Sequence, residues 1–233
     1  HRLGWRATFA FLLLPLAVSA WLARGIPQVA APSRADELPG VLRELASSRA
    51  FVGGSLVVAL QNCAMYAVLF QMPLLLGVLR GESEAVVGRT LLALTAAMVL
   101  GSWLGGHASE RLGPRATVVI ACGVSVAGLA WLRDVASIRT ALDAVPGLAL
   151  LGLGVGLTTG PSNGSAMSAV SGRRSATAAG VMSSVRYVGG VLGMLALLPL
   201  KSRVAPELAE SLHAHALALL LGASLLAALA GLL

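Results

Sequence analysis

In this chain of 233 residues, 57% are hydrophobic and 12% charged, at a mean hydropathy of +0.84. A water-facing surface needs about twice that share of charge, so a soluble globular domain is excluded. The net charge of +7 comes from 16 arginines and one lysine scattered through polar breaks. They form no basic stripe and carry no interleaved aromatics, which excludes nucleic acid as a partner.

A membrane-spanning helix needs roughly 20 mostly apolar residues. Runs of that kind occur at about 4–23, 51–79, 86–106, 115–132, 145–169, 175–200 and 212–233, and they predict an all-α transmembrane bundle of about seven helices. The lipid bilayer is then the main partner. The apolar mass is Leu, Ala, Val and Gly with only 4% aromatics, a composition suited to helices that approach closely in lipid. The abrupt start at His1 and the odd number of spans predict a fragment.

After the first run comes the one long connection, residues 24–49, with three prolines, mixed charges and a short amphipathic stretch from Leu38 to Leu45. It reads as a linker between two halves of a larger bundle. The expected organisation is therefore a span at 1–23, a linker at 24–49 and a six-helix unit at 50–233. Later connections are short. Basic residues divide eight to eight between the two sides of the bundle, so charge alone does not orient it. Cys63 and Cys122 fall inside apolar runs and read as buried free thiols, and no metal-ligand set or cofactor motif is visible.

The most informative connection joins the third and fourth runs. Gly106-His107-Ala108-Ser109-Glu110-Arg111-Leu112-Gly113-Pro114-Arg115 has the spacing G-x-x-x-(D/E)-R-x-G-x-R. Glycines permit a tight turn between two helices. Glu110 is expected at the start of the following helix, where the positive dipole end favours a carboxylate. Arg111 and Arg115 are expected to form ion pairs that open and close as the bundle moves.

This loop resembles the signature cytoplasmic loop of the major facilitator superfamily, with Glu110 in place of the more usual Asp. Further segments resemble its multidrug-exporter (drug:proton antiporter) branch. Gly4-Trp5-Arg6-x-x-Phe9 with Pro15 is similar to the start of the sixth span. Phe70-Gln71-Met72-Pro73-Leu74, then Gly81-x-Ser83 and Gly88, is similar to the seventh span and its exit. Gly152-x-Gly154-x-Gly156, Pro161, Gly180 and Arg186-x-x-Gly189-Gly190-x-x-Gly193 are similar to the second-last pair of spans. Gly156-x-x-x-Gly160-Pro161-x-x-Gly164 also has the letters of the antiporters' fifth-span signature, although its place in the chain argues for the tenth. Close packing by glycines and a kink at Pro161 is the plainer reading of that segment.

The resemblance implies the C-terminal six-helix half of a major facilitator bundle plus one preceding span, lacking the N-terminal half of the same chain and so transporting nothing alone. It further implies proton-coupled efflux of small amphipathic compounds or drugs by alternating access. The linker, the Glu110 loop, Arg173-Arg174 and the C-terminus would lie in the cytoplasm, and the protein would be multi-pass in the inner or plasma membrane of a bacterium. A metabolite importer of the same superfamily is the main alternative. A retinal protein would need a lysine in its last helix, yet Lys201 lies in a break; a membrane-embedded enzyme would need converging ligands or a nucleophile, and none is legible.

Polar residues at membrane depth supply the candidate substrate contacts. Arg186 lies roughly 16 Å into its helix, counting from Ser175 at 1.5 Å per residue, which places it near the bilayer centre. Ser183, Gly190 and Gly193 share its face, an interior-facing stripe in which the arginine either responds to an anion or proton or is hydrogen-bonded structurally. Gln61 and Asn62, with Met65 and Tyr66, suit either a substrate wall or interhelical glue. No Asp or Glu lies deep within any run, and His213 and His215 at the start of the last run read as interfacial.

Overall fold

The computed structural model describes residues 15, 17–22, 24, 38–133, 138–168, 174–195 and 222. The chain divides into two units, His1–Glu37 and Leu38–Leu233. In the first unit residues 17–22 are helical. The rest of the expected first span, most of the linker, Arg173, Lys201, His213, His215 and all but residue 222 of the last expected span lie outside the described residues.

In the second unit the described elements are helices: α1 (Leu38–Ser47), α2 (Arg49–Pro73, continued by a π-helical segment Leu74–Leu79), α3 (Glu84–Leu112), α4 (Pro114–Arg133), α5 (Ala141–Ser168) and α6 (Ser175–Leu195). Five of these, α2 to α6, are long and apolar enough to cross a membrane. They alternate in direction. One end of the bundle gathers α1, the α3–α4 turn and the start of α6; the other gathers the α2–α3 and α4–α5 connections.

The amphipathic stretch of the linker forms α1. Val41 and Leu45 bury against Phe51 and Val58 of α2 and Ala178 and Met182 of α6. Ser48 then caps α2, its hydroxyl accepting from the Phe51 amide at 3.3 Å. An ion pair between Glu44 and Arg174 ties α1 to the entry of α6. At the opposite end the Arg80 Nε donates to the Ile138 carbonyl at 3.0 Å, and the Glu82 carboxylate accepts from the Ala141 amide at 3.3 Å. That acid stands at the positive end of α5.

Helix α5 is the hub, packing against α3, α4 and α2, while α6 packs mainly on α2. Glycines set these contacts. A methyl on Gly152 or Gly156 would run into the α3 backbone at Leu94 or Met98, and one on Gly154, facing the other way, into α4 at Ser125. From the α3 side, Gly101 and Gly105 meet the backbone of Leu153 and Leu157 in return. The i, i+2, i+4 spacing of the three α5 glycines thus places small residues on two opposite faces, which lets one helix lie close to two neighbours. Leu148, Leu151 and Val155 on its remaining face join Ala64, Val68 and Met72 of α2 in the apolar core.

Outward faces are apolar. Leu92, Val99, Leu100 and Trp103 of α3, and Val188, Val191 and Leu192 of α6, are exposed. In water such surface would drive aggregation; in hydrocarbon it is matched.

Two boundaries and one segment differ from the sequence reading. The third run, expected at 86–106, is helical through Leu112, so Glu110 sits in the last turn of α3 and not at the start of the next helix. Gly113 is the reason: at φ +84° it closes α3, its amide bonding the Ser109 carbonyl at 3.0 Å, and Pro114 opens α4 at once. The turn is one residue where a loop was expected. The fifth run begins at Ala141, four residues before the expected 145, because Asp143 Oδ2 accepts from the Arg139 and Thr140 amides and anchors the entry. The third difference is the π segment after Pro73, which lacks the N–H that would continue the α register.

Candidate functional site

Among the described residues, most of those singled out by sequence fall in two polar places of the apolar bundle. The first is the α3–α4 turn. Gly106, Ser109 and Glu110 at the end of α3, with Pro114, face Gly160, Pro161, Gly164 and Ser168 of α5 across a cleft of about 380 Å³. Both motifs read from the sequence therefore meet at one end of the bundle. The glycine-proline segment divides in function along its length. Gly156 is packed hard on α3, whereas a methyl on Gly160 would find its nearest neighbour at 3.7 Å, and nothing lies within 4 Å of Gly164. Below Pro161 the helices are zipped together; at and beyond it they part. Glu110, Arg111 and Arg115 are exposed, and among the described residues neither arginine makes the ion pair expected of it.

The second place lies where α2, α5 and α6 converge. Arg186 of α6 is partly buried and its Nη2 donates to Asn163 Oδ1 of α5 at 3.1 Å. Asn163 is a residue the sequence reading passed over, although a polar pair, Ser162-Asn163, directly after Pro161 in an apolar run was a usable signal. A guanidinium at membrane depth costs roughly 2.5–3.5 kcal/mol even on the lenient insertion scale. One interhelical hydrogen bond in lipid returns about 0.6 kcal/mol. The Asn163 bond therefore does not by itself account for an arginine here.

The stripe expected to share Arg186's face splits. Gly190 and Gly193 are buried, Gly190 under the Tyr66 ring and Gly193 on the Cys63 backbone, whereas Ser183 is exposed. Gly189 likewise meets the backbone of Ala59. These glycines bring α6 onto α2 and leave Tyr66 one helical turn from Arg186. Met65 is buried in the core beside Ala64 and Val68. Asn62 donates to the Val58 carbonyl of its own helix at 2.9 Å, which leaves its amide oxygen free for another donor. Gln61 turns the other way. It is 1% exposed, accepts from the Ser125 hydroxyl at 3.0 Å and donates to Cys122 Sγ at 3.4 Å, so it bonds α2 to α4. Ser125 is a second residue that sequence alone did not mark, since a serine in an apolar helix carries no partner information.

Apolar helices of alternating direction, long enough to cross a membrane and joined at one end by a one-residue turn, describe a multi-pass membrane bundle. The comparisons agree. A family model of the Major Facilitator Superfamily matches residues 1–194, and the chain belongs to that superfamily. Among curated relatives it is 33% identical over 152 residues to the "Multidrug resistance protein Stp" of Mycobacterium tuberculosis, a match covering 65% of this chain and 28% of that protein. It is 27% identical over 151 residues to a protein named "Triacylglyceride transporter" of Mycolicibacterium hassiacum, covering 62% of this chain and 27% of the relative. A third, the "Uncharacterized MFS-type transporter YvkA" of Bacillus subtilis, is 28% identical over 150 residues, covering 64% and 33%. The chain thus spans about a third or less of the length of the relatives it matches.

Proposed function

We propose that this chain forms one half of a secondary active carrier that exports small amphipathic compounds by alternating access, with proton entry as the driving reaction. Its organisation in that reading is a last span of the first half at 1–23, a cytoplasmic linker at 24–49 and the second six-helix half from residue 50, in the plasma membrane of a bacterium. The observation that carries it is the cleft between the Glu110 turn and the Pro161 segment. A single left-handed glycine joins α3 to α4, and α5 loosens from α3 at the same level, so this end of the bundle is built to change shape while the glycine seam holds the rest rigid. That is the mechanical requirement of a rocking half. No bond is made or broken in such a cycle, and the family consists of transporters.

The relatives named for multidrug resistance and triacylglyceride transport support hydrophobic or amphipathic cargo. In this reading Arg186 contacts the substrate, with Tyr66, Asn62 and Met65 on the neighbouring helix, while Gln61 holds that helix in place. The test is Arg186→Ala in the complete carrier, reconstituted into liposomes with an imposed pH gradient. Efflux of a lipophilic dye should be lost while membrane insertion and yield are unchanged. Efflux at the wild-type rate would remove Arg186 from the path, and efflux insensitive to the gradient would remove the proton.

A further inference from the structure

Among the described residues, Arg186 is a cation without a counter-anion. Its described bond is to the neutral amide oxygen of Asn163, which engages one of the five N–H groups of the guanidinium. The described carboxylates lie elsewhere: Glu44 pairs with Arg174, Glu82 and Asp143 are bound at the start of α5, and Glu84 and Glu110 are exposed near the two ends of α3.

On the two helices beside this arginine, two further buried groups lack a hydrogen-bond partner. Ser162, the chain neighbour of Asn163, is 2% exposed, and its hydroxyl makes no hydrogen bond; Ser55 of α2 is 6% exposed and equally unbonded. The glycine contacts fix the register of α6 on α2, since Gly189 lies on Ala59 and Gly193 on Cys63. One turn earlier the same register sets Ser55 beside Val185, the neighbour of Arg186. Two buried hydroxyls and an amide from α2 and α5 therefore stand at the level of one guanidinium that no described carboxylate compensates, with the Tyr66 ring a turn away. Buried polar atoms left unbonded are costly, and a group that accepts from all of them at once relieves every cost together.

We infer that this convergence is an anion subsite, and that the cargo carries an oxyanion head of the carboxylate class on an apolar body. The guanidinium and the two hydroxyls donate to the head, and Tyr66 lies along the apolar part. The inference rests on the carrier reading above and narrows it: a cation is repelled from this place.

The experiment uses the complete carrier, of which this chain forms one half, in phosphatidylcholine nanodiscs and three fluorescent probes of equal length: a dansylamino-undecanoate, its methyl ester, and a trimethylammonium analogue. The carboxylate should bind at least tenfold tighter than the ester, and the cation weakest. Arg186→Gln should bring the carboxylate-to-ester ratio to about one, Arg186→Lys should keep most of it, and Ser162→Ala should lower it about threefold. Should the glutamine variant fail to fold, the Ser162 variant still decides, since a structural arginine predicts no change in its ratio. Equal affinity for carboxylate and ester, or preference for the cation, overturns the anion subsite alone. Failure of all three probes to bind removes the carrier reading and this inference with it.

Discussion

Gly156→Ala is the sharpest probe of how this bundle is held. A methyl built there meets the Met98 carbonyl oxygen, with Ser102 N at 2.8 Å and Gly101 C at 3.0 Å. All three are backbone atoms of α3, so no side chain can rotate away. Ordinary contact for a carbon is about 3.5–4.0 Å, and the Met98 oxygen, the nearest of the three, would require α5 to move back by roughly 1 Å or more. Such a gap forfeits about half of the dispersion along the seam, and overpacking of this kind costs about 1–3 kcal/mol. The matched control is Gly160→Ala, four residues on in the same helix, where the nearest atom is Gly106 N at 3.7 Å. That methyl fits, and alanine favours the helix over glycine by about 1 kcal/mol. Thermal unfolding in dodecylmaltoside followed by circular dichroism should therefore separate the pair. At about 2–4 °C per kcal/mol for a chain of this size, Gly156→Ala should melt several degrees below Gly160→Ala. Equal melting temperatures would refute the claim that backbone contact sets the α3–α5 distance.

Other outcomes follow from single observations. Gly113→Ala forces a side chain into φ +84° and should destabilise by about 1–3 kcal/mol, measured by the same unfolding assay. Gln61→Ala removes the Ser125 and Cys122 bonds and leaves a hole between α2 and α4; a loss of about 2–3 kcal/mol is expected, against less than about 1 kcal/mol for Asn62→Ala, which bonds only its own helix. The Glu44–Arg174 pair is about two-fifths exposed on both sides, so Glu44→Gln should lower stability by less than about 1 kcal/mol, and less still in 0.5 M salt, read from the same unfolding curves.

What the sequence disclosed depended on whether a residue's role is local. Span positions were legible because apolar runs and arginine-bearing breaks are properties of the chain itself, and 175–200 against Ser175–Leu195 shows how closely. The Gly152, Gly154 and Gly156 spacing announced close packing for the same reason. Partners were not legible. Gln61 looked equivalent to Asn62 in sequence, yet they lie 100° apart on the helix, one reaching α4 and the other its own backbone. Glu110 was misplaced by a turn because a glycine turn of one residue lets the preceding helix run on, and only the backbone angle at Gly113 reveals it. Asn163 escaped notice because its meaning comes from Arg186, 23 residues later.

The position of α5 at the hub also bears on how the protein is made. Synthesis delivers α3 and α4 first, and those two helices touch each other only lightly; their small-residue faces wait for a neighbour that the ribosome has not yet supplied. Until α5 enters the bilayer, the nascent hairpin presents exposed helix backbone to lipid and to any passing segment, a substrate for insertion chaperones and membrane proteases. Arrival of one helix, glycine-bearing on both sides, closes both vacancies in a single step.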